Sequence, residues 1–335
     1  MANTKKLGIL VPMYKEDESV VKGLLDSIQI QRNVNFNDIE VIICVDGTEP
    51  DNTKISDLLL SIYDFDIQVH YLEHQGVSAM RNAALDFSSA EYIIWCDCDD
   101  AWFNTFALHL ITEETKGEGF DVIIANFIEE TRNPMTGDIM YVDHPSNSTF
   151  VHGQWFRRQY LIDNELRFDP ECTIHEDSRG ICLFQKIAKP ERVKIQMMPT
   201  YAWLWRSNSV CRSDRKYILK TMVDMIKSNT SLVNELLKRD HEEDAIFYVT
   251  GMVFDCYWTL NEDSWMDEEN KQYRDNTEQK FKVYWTKYKY LYEKVKPEVK
   301  LQIMAGIRQR KYMEGLGFEK ITFDQWIKHI EEMED

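Results

Sequence analysis

Three carboxylates fall within four residues at Asp97, Asp99 and Asp100, directly after the apolar run Ile93-Ile94-Trp95-Cys96. Tyr92 to Cys96 is β-prone and reads as a buried strand. Asp97 onward then falls at its carboxyl end, where open α/β sheets place their ligands. No Lys or Arg occurs between Arg81 and Lys116, so a hard divalent cation bridging to phosphate oxygens is the natural counter-charge. A solvated acidic turn or a helix cap is the competing reading, because Asp is common in both.

The elements that must position these carboxylates can be read upstream. Lys6 to Val11 is a strand candidate that ends at Pro12-Met13-Tyr14-Lys15-Glu16, and Val20 to Ile30 carries apolar residues at the spacing of one helix face. Glu40 to Val45 is a second buried strand, stopped by the turn formers from Asp46 to Thr53. Lys54 to Tyr63 reads as a helix, Ile67 to Leu72 as a strand, and Ser78 to Leu85 as a helix entered through a turn at Gly76. Strands alternating with helices imply right-handed crossovers and a mostly parallel sheet, so the class is α/β. Such a sheet brings Tyr14, Glu16, Asp46, Arg81 and Asp97 to Asp100 to one edge. Neither GxGxxG nor GxxxxGK[ST] is present, which argues against a dinucleotide site and a P-loop.

The whole chain has 335 residues and a formal net charge of −18, with seven cysteines and no CxxC pair. That cysteine pattern suits reduced, buried thiols. No stretch is long enough to cross a bilayer, and the apolar run after Lys6 is too short for a signal peptide, so cytoplasmic residence is the default expectation. Beyond Ser213 helical spacing takes over, which predicts an α/β domain over 1–213 and a helical region over 214–335. Within that region, residues 240–270 hold ten acids and no Lys or Arg, whereas 271–312 hold twelve Lys or Arg against four acids. Lys282, Tyr284 and Trp285 belong to a basic, aromatic run. It reads either as a surface for an anionic, stackable partner or as an amphipathic helix whose lysines answer the acidic block.

Taken together, the loops resemble the family 2 glycosyltransferases, over about residues 6 to 213. Val11-Pro12-Met13-Tyr14 resembles that family's first-strand exit, and Val45-Asp46-Gly47-Thr48 its VDDGS loop. Gly76-Val77-Ser78-Ala79-Met80-Arg81-Asn82 is similar to its GVSAARN segment, and Asp97-Cys98-Asp99-Asp100 to its DxDD. Downstream, Gly153 to Leu161 and Leu166 to Pro170 are similar to further family segments, His175-Glu176-Asp177 stands at its ED motif, and Tyr201 to Arg212 resembles its Y-x-Y-R…S-x-S loop. The second loop has one Asp where the family often has two, and Cys211 replaces a common Ser or Thr.

The resemblance implies a GT-A nucleotide-sugar-binding fold and an inverting, metal-dependent transfer from a nucleotide diphosphate sugar to an acceptor hydroxyl. It implies Asp99 and Asp97 as ligands of Mn2+ or Mg2+, with Asp100 supporting the loop. Pro12, Tyr14, Glu16, Asp46, Arg81, Asp97, Arg206, Ser209 and Arg212 are implied around the donor. A base-stacking Tyr14 and an imide-accepting Asp46 favour a UDP-type donor. Asp177 is implied as general base, with Glu176 as understudy, although first-turn helix acids are the plain alternative. Trp205, His175, Lys282, Tyr284 and Trp285 are candidates on the acceptor side, the acceptor being a saccharide, a glycopolymer or a modified DNA base. A sugar nucleotidyltransferase would leave the ED and Arg-Ser motifs without a role. A non-catalytic nucleotide-sugar or nucleic-acid binding module is the remaining alternative.

Overall fold

The computed structural model describes residues 4–47, 54–117, 119–133, 135–147, 149–207, 217–261, 268–313 and 321–333. The chain divides into two compact units, Met1–Arg206 and Ser207–Asp335.

In the first unit, β1 (Leu7–Met13) and β2 (Ile39–Asp46) are buried along their whole lengths, as continuous apolar runs covered on both faces should be. They pair in parallel with each other, β2 pairs in parallel with β3 (Asp66–Leu72), and β1 with β4 (Tyr92–Trp95). The crossovers carry α1 (Glu18–Gln29), a single-turn α2 (Asp57–Leu60) and α3 (Val77–Phe87). The helix expected over Lys54 to Tyr63 is therefore only a short turn of helix, capped by Ser56.

Past β4 the sheet changes character. A two-residue β5 (Ala101–Trp102) and α4 (Ala107–Glu114) precede β6 (Val122–Arg132), β7 (Ile139–His144), β8 (Gln154–Arg157), α5 (Arg158–Asp163), α6 (Glu176–Ile187) and β9 (Val193–Trp203). The strand order is β3-β2-β1-β4-β8-β6-β9-β5, with β7 beside β6. The parallel half follows the sequence expectation. In the other half β8 runs antiparallel to β4 and β6, and β7 and β5 are antiparallel to their neighbours.

Two local devices fix this frame. Glu40, buried on β2, accepts from the Ser88 and Ser89 hydroxyls and the Ser89 and Ala90 N–H groups at 2.7–3.0 Å, so the α3–β4 connection is clamped beneath β4. Gly153, at φ +71°, lets β8 begin against β6; a Cβ there would stand 2.5 Å from the Ala125 carbonyl oxygen.

The second unit is helical: α7 (Tyr217–Lys238), α8 (Glu242–Leu260), α9 (Lys271–Glu293), α10 (Pro297–Met313) and α11 (Phe323–Glu332). Phe281, Tyr284, Trp285, Tyr288 and Tyr292 recur on one face of α9 and are buried, forming much of the core with Tyr257 and Trp326. The reading of Tyr284 and Trp285 as an exposed stacking surface is thus corrected: their rings are spent on packing. Lys282 donates to the Met333 carbonyl, and Lys294 pairs with Glu242 of the acidic block at 2.6 Å.

The six described cysteines are free and buried; Cys211 lies outside the described residues. Among the described residues no helix is long and apolar enough to cross a membrane.

Candidate active site

The carboxyl ends of β1, β2 and β4 surround a cleft of about 330 Å³ lined by Pro12, Tyr14, Glu16, Asp46, His74, Asp97 and Asp99 among others. Glu16 Oε2 accepts from the Tyr14 N–H at 2.5 Å, which holds the β1 exit in a turn with Lys15 at φ 63°. Tyr14 is 42% exposed and stacks on His74 with ring centroids 4.9 Å apart. His74 carries no local sequence signal; it faces the cleft because β3 ends beside β2.

Asp46 is differently employed from the expectation that it would await a nucleobase. It is buried, and its oxygens accept from the Gln75 N–H (2.7 Å) and Gly76 N–H (3.0 Å) and meet His74 Nδ1 at 2.9 Å. It anchors the turn into α3, which Gly76 makes possible at φ +89°.

Asp97, Asp99 and Asp100 follow β4, and each has its own surroundings. Asp100 is fully engaged: Oδ2 accepts from the Tyr201 hydroxyl at 2.6 Å and Oδ1 from the Leu204 N–H at 2.9 Å. The same Tyr201 oxygen accepts from the Asp97 N–H at 3.2 Å, so one phenol on β9 ties both ends of the acidic loop. Burial, added to the charges of Asp97 and Asp99, pushes the Asp100 pKa well above the carboxylate range. His152 packs against Tyr201 and Trp203, and its Nδ1 lies 3.9 Å from Asp100.

Asp97 and Asp99 face the cleft, their side chains 35% and 36% exposed. Burial and the Asp97 charge raise the Asp99 pKa. No basic residue is near these acids in sequence, but the fold brings two arginines to them. Arg81 Nη2 lies 3.2 Å from Asp97 Oδ1, and Arg206 Nε lies 2.9 Å from Asp99 Oδ2. Arg81 comes from α3, the helix before β4, and Arg206 from the segment after β9, 107 residues from Asp99. Arg206 therefore contacts a candidate metal ligand, where the sequence reading had placed it on the diphosphate.

Two acidic oxygen donors at the rim of one cleft, one of them electrostatically strained, fit a hard divalent cation. Asp97, Asp100 and His152 also place ligand atoms within 4.8 Å of one another. Asp100 is already committed to Tyr201 and Leu204, which leaves Asp97 and Asp99 as the better-presented pair.

Arg81 also reaches the second acidic motif. It is buried, and Nη1 donates to Glu176 Oε1 at 2.7 Å. Burial opposes its charge, but Glu176, Asp97 and Asp177 outweigh this and raise its pKa. Glu176 and Asp177 open α6 after His175, which takes the left-handed conformation at φ 60°. Asp177 does sit in a first helical turn, as the plain reading has it. Even so, burial and the neighbouring Glu176 charge raise its pKa to about 7, against the lowering effects of Arg81 and the Ser178 N–H. Trp205 stacks under the Arg132 guanidinium at 4.3 Å. Ser209 and Arg212 lie outside the described residues. Tyr201 and His152 were missed as site residues, because their partners in the acidic loop lie far away in sequence.

Known proteins resemble this chain in sequence and fold. Residues 8–176 match the profile of "Glycosyl transferase family 2". The chain is similar to "Putative glycosyltransferase EpsH" of Bacillus subtilis (strain 168), with 22% identity over 248 residues, 69% of this chain and 70% of that protein. It is also similar to glycosyltransferase GlyA of Streptococcus pneumoniae serotype 4, 26% identical over 124 residues that cover 36% of this chain and 17% of GlyA. Among solved structures, S. aureus TarS 1-349 in complex with UDP-GlcNAc superposes with a TM-score of 0.61 at 17% identity, covering 91% of this chain and 92% of that one. The fold is of the GT-A type, and the matched profile runs from β1 through the acidic loop to Glu176. This chain belongs to glycosyltransferase family 2 and is a glycosyltransferase.

Proposed function

We propose that the enzyme is an inverting, metal-dependent glycosyltransferase that moves a sugar from a UDP-linked donor to a hydroxyl of a saccharide or glycopolymer. The observation that carries this reading is Arg81, whose guanidinium holds Asp97 of the acidic loop and Glu176 of the ED pair at 3.2 and 2.7 Å. It joins the donor-side and acceptor-side acids into one centre. TarS has been solved with UDP-GlcNAc and with UDP, which supports a uridine donor for the Tyr14 shelf.

Asp97 and Asp99 would hold a divalent cation, Mn2+ or Mg2+, which supplies charge neutralisation for the departing diphosphate. Tyr14 carries the nucleobase against His74, with Asp46 keeping the adjoining turn in place. Asp177 takes the proton from the acceptor hydroxyl as its oxygen attacks the anomeric carbon and the bond to the diphosphate oxygen breaks. A pKa near 7 suits that task, since about half of the base is ionised at neutral pH and it is more basic than an ordinary carboxylate. A modified DNA base as acceptor is disfavoured, because Tyr284 and Trp285, the α9 aromatics expected to stack on nucleic acid, are buried.

UDP release from a panel of UDP- and GDP-sugars, with Mn2+, with Mg2+ and with EDTA, tests the reading. Metal-dependent UDP release with one UDP-sugar is expected; release unaffected by EDTA, or from GDP-sugars alone, would overturn it.

A further inference from the structure

β8 runs antiparallel to both β4 and β6, so β4 and β6 point the same way and their carboxyl ends share one edge of the sheet. The β6–β7 hairpin therefore stands on the edge that carries the acidic loop, and its two faces differ. On one, His144 Nε2 meets Glu129 Oε2 at 2.8 Å and the His144 ring stacks on Phe127. On the other, the Tyr141 hydroxyl donates to Glu130 Oε2 at 3.3 Å, and strand alternation puts Arg132 beside them. Tyr141 is 65% exposed, and Arg132 is exposed as well.

Arg132 joins this outer face to the catalytic centre. Its guanidinium lies over the Trp205 ring and donates to the Gly137 carbonyl at 2.9 Å, and no carboxylate pairs with it among the described residues. Trp205 in turn stands between Leu204, whose N–H donates to Asp100, and Arg206, whose Nε lies 2.9 Å from Asp99. Tyr141, Glu130, Arg132 and Trp205 thus form one continuous strip, on the order of 10 Å long by strand spacing, that ends at the acidic loop. It is longer than one sugar ring. Ile139 and Met140 on the same hairpin are also exposed, and apolar surface gathered in this way marks a binding face.

We propose that this strip binds the acceptor as an uncharged saccharide chain of several units, its accepting hydroxyl at the catalytic centre. Tyr141 carries a sugar face. Arg132 donates to sugar hydroxyls and Glu130 accepts from them, and a hydroxyl can do both. Glu130 and the exposed Asp143, which shares the Tyr141 face by alternation, offset the single guanidinium, so a polyanion finds no excess of positive charge there. That the ligand is a sugar rests on the glycosyltransferase reading above; that it is an uncharged chain rests on the strip.

A printed array of neutral, sulfated and uronate-bearing glycans of one to six units, followed by calorimetric titration of the best binder, tests this on the full chain. A neutral chain of three or more units should bind about tenfold or more tightly than its monosaccharide and than anionic glycans of equal length. Y141A should weaken it about tenfold with melting temperature unchanged, and Y141F, which keeps the ring, should stay within about twofold of the parent. R132A should also weaken it about tenfold. Binding to no neutral chain, a preference for anionic glycans, equal affinity for the monosaccharide, or binding unaltered in Y141A would overturn the proposal. If glycan binding behaves as expected while the parent chain releases UDP from no donor, the catalytic reading fails and the strip stands.

Discussion

The surface pairs of the helical unit and the cleft acids of the α/β unit treat charge in opposite ways. In the helical unit, ion pairs such as Lys289–Glu331 and Lys294–Glu242 lie at the surface, and their side chains are 41–52% exposed. The Glu331 pKa is lowered, first by its hydrogen bond from Lys289, as a solvated pair should behave. In the α/β unit, Asp99, Asp100 and Asp177 are all raised, with burial the leading cause in each. Crowded carboxylates with raised pKa values cost stability, and their concentration in one unit marks where the chemistry is.

The largest expected effect is on turnover. Asp177→Asn removes the base but keeps an acceptor for the Ser178 N–H, so the rate should fall about a thousandfold while UDP-sugar affinity stays within a few-fold. The same substitution bears on stability, and the sign follows from linkage. Because the folded-state pKa of Asp177 is raised from 3.8 to about 7, the native state binds the extra proton, and stability is lost as pH rises between those values. The variant should therefore gain on the parent chain in melting temperature as pH is taken from 4 to 8; a constant difference would refute the buried-acid assignment.

Arg81→Ala comes next. It leaves Asp97, Glu176 and Asp177 without their shared cation, and denaturant titration should show a loss of about 3–5 kcal/mol, as for breaking a buried pair. Tyr201→Phe is milder. It deletes the hydroxyl that donates to Asp100 and accepts from the Asp97 N–H, and the loss of such a hydrogen bond at about 0.5–1.5 kcal/mol predicts up to roughly tenfold weaker Mn2+ dependence of UDP release. An unaltered metal titration would limit Tyr201 to packing. At the other extreme, Lys289→Ala in the helical unit should change stability by less than about 1 kcal/mol.

The contrast also explains what could be read from the chain. β1, β2 and β4 were legible because each is a continuous apolar run, and the acidic loop because three Asp follow one of them directly. The α9 core was legible in principle: Phe281, Tyr284, Trp285, Tyr288 and Tyr292 keep helical spacing, but the interleaved lysines invited a surface reading. What stayed hidden depends on tertiary convergence. Arg206 reaches Asp99 and Tyr201 reaches Asp100 across about a hundred residues, so no local window holds both partners. α2 proved short although apolar residues continue on either side of it, since periodicity locates helices better than it bounds them.

The central claim is that the acidic loop and the ED pair act on one reaction, with Asp177 as its base. The pH dependence of kcat/KM for sugar transfer tests it most directly. An acid limb of unit slope with a midpoint near 7, absent from the residual rate of Asp177→Asn, is the predicted result. An acid limb that persists unchanged in that variant would contradict it.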